Sequence, residues 1–157
     1  MIALAAVLSG CGGGNAPAPA PAEADTTVTG RVRVAGSTPL QQVMIQPEDS
    51  SQAELEVVGE YRAELERLSG AVVQATGTLS DGGRLSVTRY EILEVAGHVP
   101  LVGTVEVRRS DVTLVTEDGD RVKLLHVPGL LTMAGAKVWV IRDPDGVVTG
   151  YGVIRER

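Results

Sequence analysis

Val28-Thr29-Gly30-Arg31-Val32-Arg33-Val34 returns, with its glycine and valines in step, as Leu101-Val102-Gly103-Thr104-Val105-Glu106-Val107. Two more stretches return in the same order. Leu68-Ser69-Gly70-Ala71-Val72-Val73 matches Met133-Ala134-Gly135-Ala136-Lys137-Val138, and Val87-Thr88-Arg89-Tyr90-Glu91-Ile92-Leu93 matches Val148-Thr149-Gly150-Tyr151-Gly152-Val153-Ile154. Three matches in one order read as an internal duplication. In the opening stretch the apolar residues recur with period two, as in a strand with one buried face. The duplication decides the fold class: all-β, from two copies of one small unit.

Working outward, each half reads as five strands. The first copy places them near 28–35, 41–46, 53–58, 71–79 and 84–95, and the second near 101–109, 111–116, 120–126, 136–142 and 147–155. Asp81-Gly82-Gly83, Glu117-Asp118-Gly119-Asp120 and Asp143-Pro144-Asp145-Gly146 supply turns, because Asp and Gly tolerate the backbone a tight reversal needs. One segment breaks the β pattern. In Glu60–Leu68, Tyr61, Leu65 and Leu68 stand at helical spacing and share a face, with Gly70 as the stop. The second copy has Pro128–Met133 there, room for about one turn.

Strand-strand-strand-helix-strand-strand resembles the order of the OB-fold, a small five-stranded barrel, and also the small OB-like domains of exported bacterial proteins. The resemblance covers residues 28–155 and rests on element order and the glycine before the fourth strand. It implies an all-β protein with one short helix, in two tandem OB-like barrels spanning 28–97 and 98–157. A single sandwich made of all ten strands is the rival arrangement.

The N-terminus has a different character. A short apolar run, Ile2–Leu8, leads to Leu8-Ser9-Gly10-Cys11, and Cys11 is the only cysteine. Gly12-Gly13-Gly14-Asn15 and Ala16-Pro17-Ala18-Pro19-Ala20-Pro21 follow. Spanning a bilayer takes ~20 apolar residues, so this run is too short. It resembles the signal-peptide end and lipobox of bacterial lipoproteins. The resemblance implies removal of residues 1–10, lipidation of the Cys11 thiol and a membrane anchor. Met1-Ile2-Ala3 has no Lys or Arg, so a basic start is expected upstream of Met1. Residues 11–27 then form a linker whose Ala-Pro repeat favours extended polyproline II, a semi-rigid stalk of ~3.1 Å per residue. In Gram-negative members of the family an aspartate directly after the cysteine retains the protein at the inner membrane. Gly12 stands there instead, which implies the outer membrane, facing the periplasm.

Composition narrows what the folded part does. With one cysteine there is no intramolecular disulfide, and with no Phe, three Tyr and one Trp the core must be aliphatic. The net charge is −6, and no basic run occurs in either half, which argues against nucleic acid as a partner.

Motifs for chemistry are sparse. His98 and His126 are the only histidines, too isolated for a metal site, and no metal or cofactor is expected. Gly-x-Ser-x-Gly, Ser-x-x-Lys, P-loop and Gly-x-Gly-x-x-Gly-before-helix patterns are missing from the sequence. Gly150-Tyr151-Gly152 falls inside a strand and reads as a bend or bulge. Asp118/Asp120 and Asp143/Asp145 read as turn chemistry, while Glu54/Glu56 and Glu64/Glu66 are expected to face solvent. Tyr90 and Tyr151 match between copies and read as barrel supports.

Trp139 aligns with Gln74 and should leave its strand outward. It is the candidate ligand-binding residue, with packing between the barrels as the other reading. These features together imply a non-enzymatic, lipid-anchored envelope protein working through protein–protein or envelope contacts. An oligosaccharide- or peptidoglycan-binding module is the alternative, and a hydrolase is further off.

Overall fold

Alternating burial, buried valine against exposed arginine, sets the first strand. β1 (Asp25–Ala35) buries Val28, Gly30 and Val32 and exposes Arg31 and Arg33. It begins inside the stretch assigned to the linker, because Asp25, Thr26 and Thr27 already pair with Thr78, Gly77 and Thr76. The computed structural model describes residues 25–125 and 127–157. Cys11, residues 1–10, the linker up to residue 24, and His126 lie outside the described residues.

The first module continues with β2 (Gln42–Pro47), β3 (Leu55–Val58), α1 (Arg62–Glu66), β4 (Val72–Ser80) and β5 (Arg84–Glu94). These strands close a barrel in the order β1-β2-β3-β5-β4. The closing seam is a parallel ladder that sets Glu56, Val57 and Val58 beside Arg84, Leu85 and Ser86. Val32, Val43, Ile45, Val57, Val73, Ala75 and Leu85 fill the interior. Leu65 and Leu68 of the helical segment plug it, and Tyr61 packs at its edge, as their spacing predicts.

The second module repeats the order with β6 (Leu101–Arg108), β7 (Asp111–Thr116), β8 (Arg121–Leu124), a 3₁₀ turn at Pro128–Thr132, β9 (Lys137–Arg142) and β10 (Val148–Arg155). Its sheet runs β10-β9-β6-β7-β8. This corrects the expectation of two closed barrels: among the described residues no ladder joins β8 to β10, and only the isolated parallel bridge Leu125–Val147, just past the end of β8 and just before β10, lies between them. The ten strands thus form two sheets, each with its own core, and not one sandwich.

The duplication persists in individual hydrogen bonds. Val32 N–H donates to Ala71 and Gly70 N–H to Val32, both at 2.9 Å; Val105 donates to Ala136 at 2.9 Å and Gly135 to Val105 at 2.8 Å. Gly70 and Gly135 hold φ of 92° and 86°, a region that side chains disfavour. Gly30 and Gly103 are equivalent as well. A Cβ on either would strike a neighbouring carbonyl oxygen, of Gln46 or Val115.

Candidate functional site

The modules meet at a two-residue reversal. Val95 and His98 exchange both backbone hydrogen bonds, at 2.8 and 3.0 Å, and Ala96 and Gly97 between them have φ of 51° and 83°. Two positive φ values mark a type I′ hairpin turn, which fixes the exit direction of the chain.

A single cross-strand row builds the contact beyond it. In the second module Trp139 stands between Val102 on β6 and Gly152 on β10. In the first module the equivalent row is Thr29, Gln74 and Glu91. The same place in the same fold is polar in one copy and apolar in the other. Trp139 and Val102 pack against the core of the first barrel, and Ile154 of β10, 1 % exposed, belongs to that core. Trp139 therefore leaves its strand outward, as the alternation requires, and its ring lies in the joint. Gly152 makes room for it, since a Cβ there would lie 2.6 Å from two ring atoms.

Beside this row sits a buried carboxylate. Glu64 is 7 % exposed, which corrects the expectation that it faces solvent. It lies three residues from Tyr61 and four from Leu68, so helical spacing already puts it on the inward side. The Tyr90 hydroxyl donates to it at 2.5 Å, and Arg155 of β10 pairs with it at 3.0 Å. Burial first, and the bond to Glu64 second, push the Tyr90 hydroxyl well above its ordinary value. Tyr61 meets Tyr90 edge to face, with centroids 5.5 Å apart. Lys137 places Nζ 5.4 Å from the Tyr90 centroid and pairs with Glu117 at 3.0 Å. Tyr90 thus supports the joint and not only its own barrel.

A groove of about 490 Å³ opens along this joint. Arg89–Ile92 of β5 line it from the first module, and Leu101, Val102 and Lys137 from the second. Val99, 83 % exposed, stands between it and a neighbouring groove of about 460 Å³ that reaches Arg142 and Pro144.

The remaining candidates fall into structural roles. Asp143 accepts from Val147 N–H at 2.9 Å, and Asp120 N–H donates to the Thr116 hydroxyl at 3.1 Å, which is turn chemistry. Tyr151 reaches over the second module and sets its hydroxyl against Gly129. Gly150-Tyr151-Gly152 does lie beside an irregularity in the β9–β10 register. His98 is exposed at the turn. Among the described residues no three His, Cys, Asp or Glu side chains converge as metal ligands. Comparison with protein-family models gives no match, and comparison with curated proteins gives none either.

Proposed function

We propose that this chain is a lipid-anchored protein of the bacterial cell envelope that acts by binding an envelope partner rather than by catalysis. The stretch Leu8-Ser9-Gly10-Cys11, with the Ala-Pro spacer ending where β1 starts, carries the reading. Each lipid CH₂ buried contributes ~0.8 kcal/mol, so a diacylglycerol on Cys11 anchors stably where a single chain would not. The spacer gives the modules a reach of a few tens of ångströms from the lipid surface, at ~3.1 Å per residue. In a Gram-negative cell Gly12 directs the protein to the outer membrane, facing the periplasm.

The binding half of the reading is supported by the groove at the joint, whose sides come from both modules. The acidic groups nearest to hydrolytic chemistry are already engaged: Asp143 in a turn, Glu64 in the joint.

The test uses the full chain in a bacterial host. Wild-type protein should take up a palmitate analogue and sediment with membranes, and Cys11→Ser should be unlabelled and soluble. A photo-crosslinker at Val99 should capture an envelope protein. Cys11→Ser that stays membrane-bound with an unprocessed N-terminus would refute the anchor. Muropeptide adducts at Val99 would move the partner from protein to glycan, and no reproducible adduct would refute an envelope partner at this surface.

A further inference from the structure

β5 pairs with β4 along its whole length, Arg84–Glu94, but with β3 only from Arg84 to Ser86. From Val87 onward its second edge carries no ladder to another strand among the described residues. α1 packs mainly on β1, β2, β3 and β10, and it meets β5 at Tyr90 through Glu64 and the adjoining Tyr61. Among the described residues the alternate N–H and C=O groups along this edge take no backbone partner beyond the β4 ladder, so an added strand can bond them. Arg89–Ile92 of this edge line the joint groove, across from Leu101 and Val102.

The side chains add a charge pattern. Arg89 and Glu91 are both exposed and stand two residues apart, on one face of β5. Their β4 neighbours, Thr76 and Gln74, are neutral. Neither Arg89 nor Glu91 has an ion-pair partner among the described residues. An edge that offers a cation and an anion in alternation selects a strand that presents an anion and a cation to match. The opposite face of that strand would meet Val99, Leu101 and Val102, which asks for apolar residues at the intervening positions.

We propose that the joint groove receives an extended segment of a partner polypeptide as an added strand on β5, with apolar residues alternating with residues of opposite charge matched to Arg89 and Glu91. The inference deepens the binding-module reading and rests on it, though not on the lipid anchor. Backbone bonds to Val87–Glu94 supply affinity, and the Arg89/Glu91 pair supplies selectivity.

The experiment titrates the full chain with four synthetic peptides. Val-Glu-Val-Lys-Val-Glu-Val is the matched probe. All-Glu and all-Lys versions change the charge, and a version with a central proline cannot complete the ladder. The matched peptide should slow amide hydrogen exchange at alternate positions from Val87 to Glu94. Arg89→Glu should weaken it on the order of tenfold and shift preference to the all-Lys peptide. Equal binding of the proline version, or no change in exchange with any peptide, overturns the proposal. So does a chain that dimerises through this edge and is separated by Arg89→Glu, because the occupant is then a second copy. Peptide binding in solution with no envelope adduct at Val99 in cells would refute the envelope partner while leaving the groove assignment intact.

Discussion

Gly152→Ala adds one methyl group at the most crowded point of the joint. Its Cβ would lie 2.6 Å from Trp139 Cε2 and Nε1 and 2.7 Å from Cζ2. Ordinary contact between such atoms is ~3.5–4.0 Å, so the overlap is about 1 Å. The indole cannot simply retreat, because it packs against the first barrel's core. Overpacking of this kind costs about 1–3 kcal/mol. The backbone adds no penalty of its own, since Gly152 is not among the glycines with positive φ. Alanine there would otherwise contribute about 0.5–1 kcal/mol through reduced unfolded-state entropy. The sign of the effect therefore depends on Trp139, which makes a double-mutant cycle decisive. Urea unfolding followed by circular dichroism should show Gly152→Ala destabilising by about 1–3 kcal/mol in the parent. In a Trp139→Ala background it should be neutral or stabilising. Trp139 is the only tryptophan, so its emission reports the joint alone and should shift red in Gly152→Ala. An equal loss in both backgrounds, or an unmoved emission with full stability, refutes the packing argument.

Tyr90→Phe leaves a buried Glu64 oxygen without its donor and should cost about 1–3 kcal/mol in urea unfolding at neutral pH. The raised hydroxyl also sets a sign. Stability from Tyr90 is fully present below its ordinary value of 10.0 and is lost as pH rises through the higher folded value, so Tyr90→Phe should flatten the alkaline decline above pH 10. Ala96→Gly relieves a positive φ that costs an ordinary residue ~1–2 kcal/mol, less the entropy glycine loses, and should raise the melting temperature by a few degrees. Val102→Thr, Trp139→Gln and Gly152→Glu together turn the docking row into a copy of Thr29, Gln74 and Glu91. The triple variant should unfold in two calorimetric steps where the parent unfolds in one, and a single retained transition would show that the row does not couple the modules.

The fold was legible because its information is local and appears twice. Period-two apolar residues and turn signals mark the strands, and Gly70 and Gly135 mark the step into β4 and β9. The duplication even carried register: Tyr151 stands opposite Val140 as Tyr90 stands opposite Ala75. Less legible was anything set by contact between copies. Helical spacing turns Glu64 inward, but the partner that its buried carboxylate finds there, Arg155, lies 91 residues further on. Trp139 was correctly aimed outward by alternation, yet alternation does not say what waits outside. The missing ladder between β8 and β10 is hidden for a similar reason, since parallel closure depends on where two distant strand ends overlap. The proposed anchor at Cys11 is the opposite case, a reading that rests on sequence alone.

The two copies have divided the work of stability unequally. The first closes its seam with three paired positions and plugs its core with α1, so its elements satisfy one another. The second has one bridge at the seam and a single 3₁₀ turn where the helix would be. What it gains instead is the outer face of β6, β9 and β10, where Ile154 is buried and Val102 and Trp139 are half-buried against the first barrel. In the first copy the equivalent row, Thr29, Gln74 and Glu91, is polar instead. Docking thus substitutes for closure, and the second module should depend on the first for its stability more than the reverse. That dependence bears directly on binding. A groove between two freely moving domains must be ordered when a ligand arrives, at ~0.5–1.5 kcal/mol for each side chain immobilised. Here the hairpin turn, the Trp139 row and the Glu64–Arg155 pair are already set by folding. The β5 edge and its facing wall are therefore preorganised for the strand proposed to bind there.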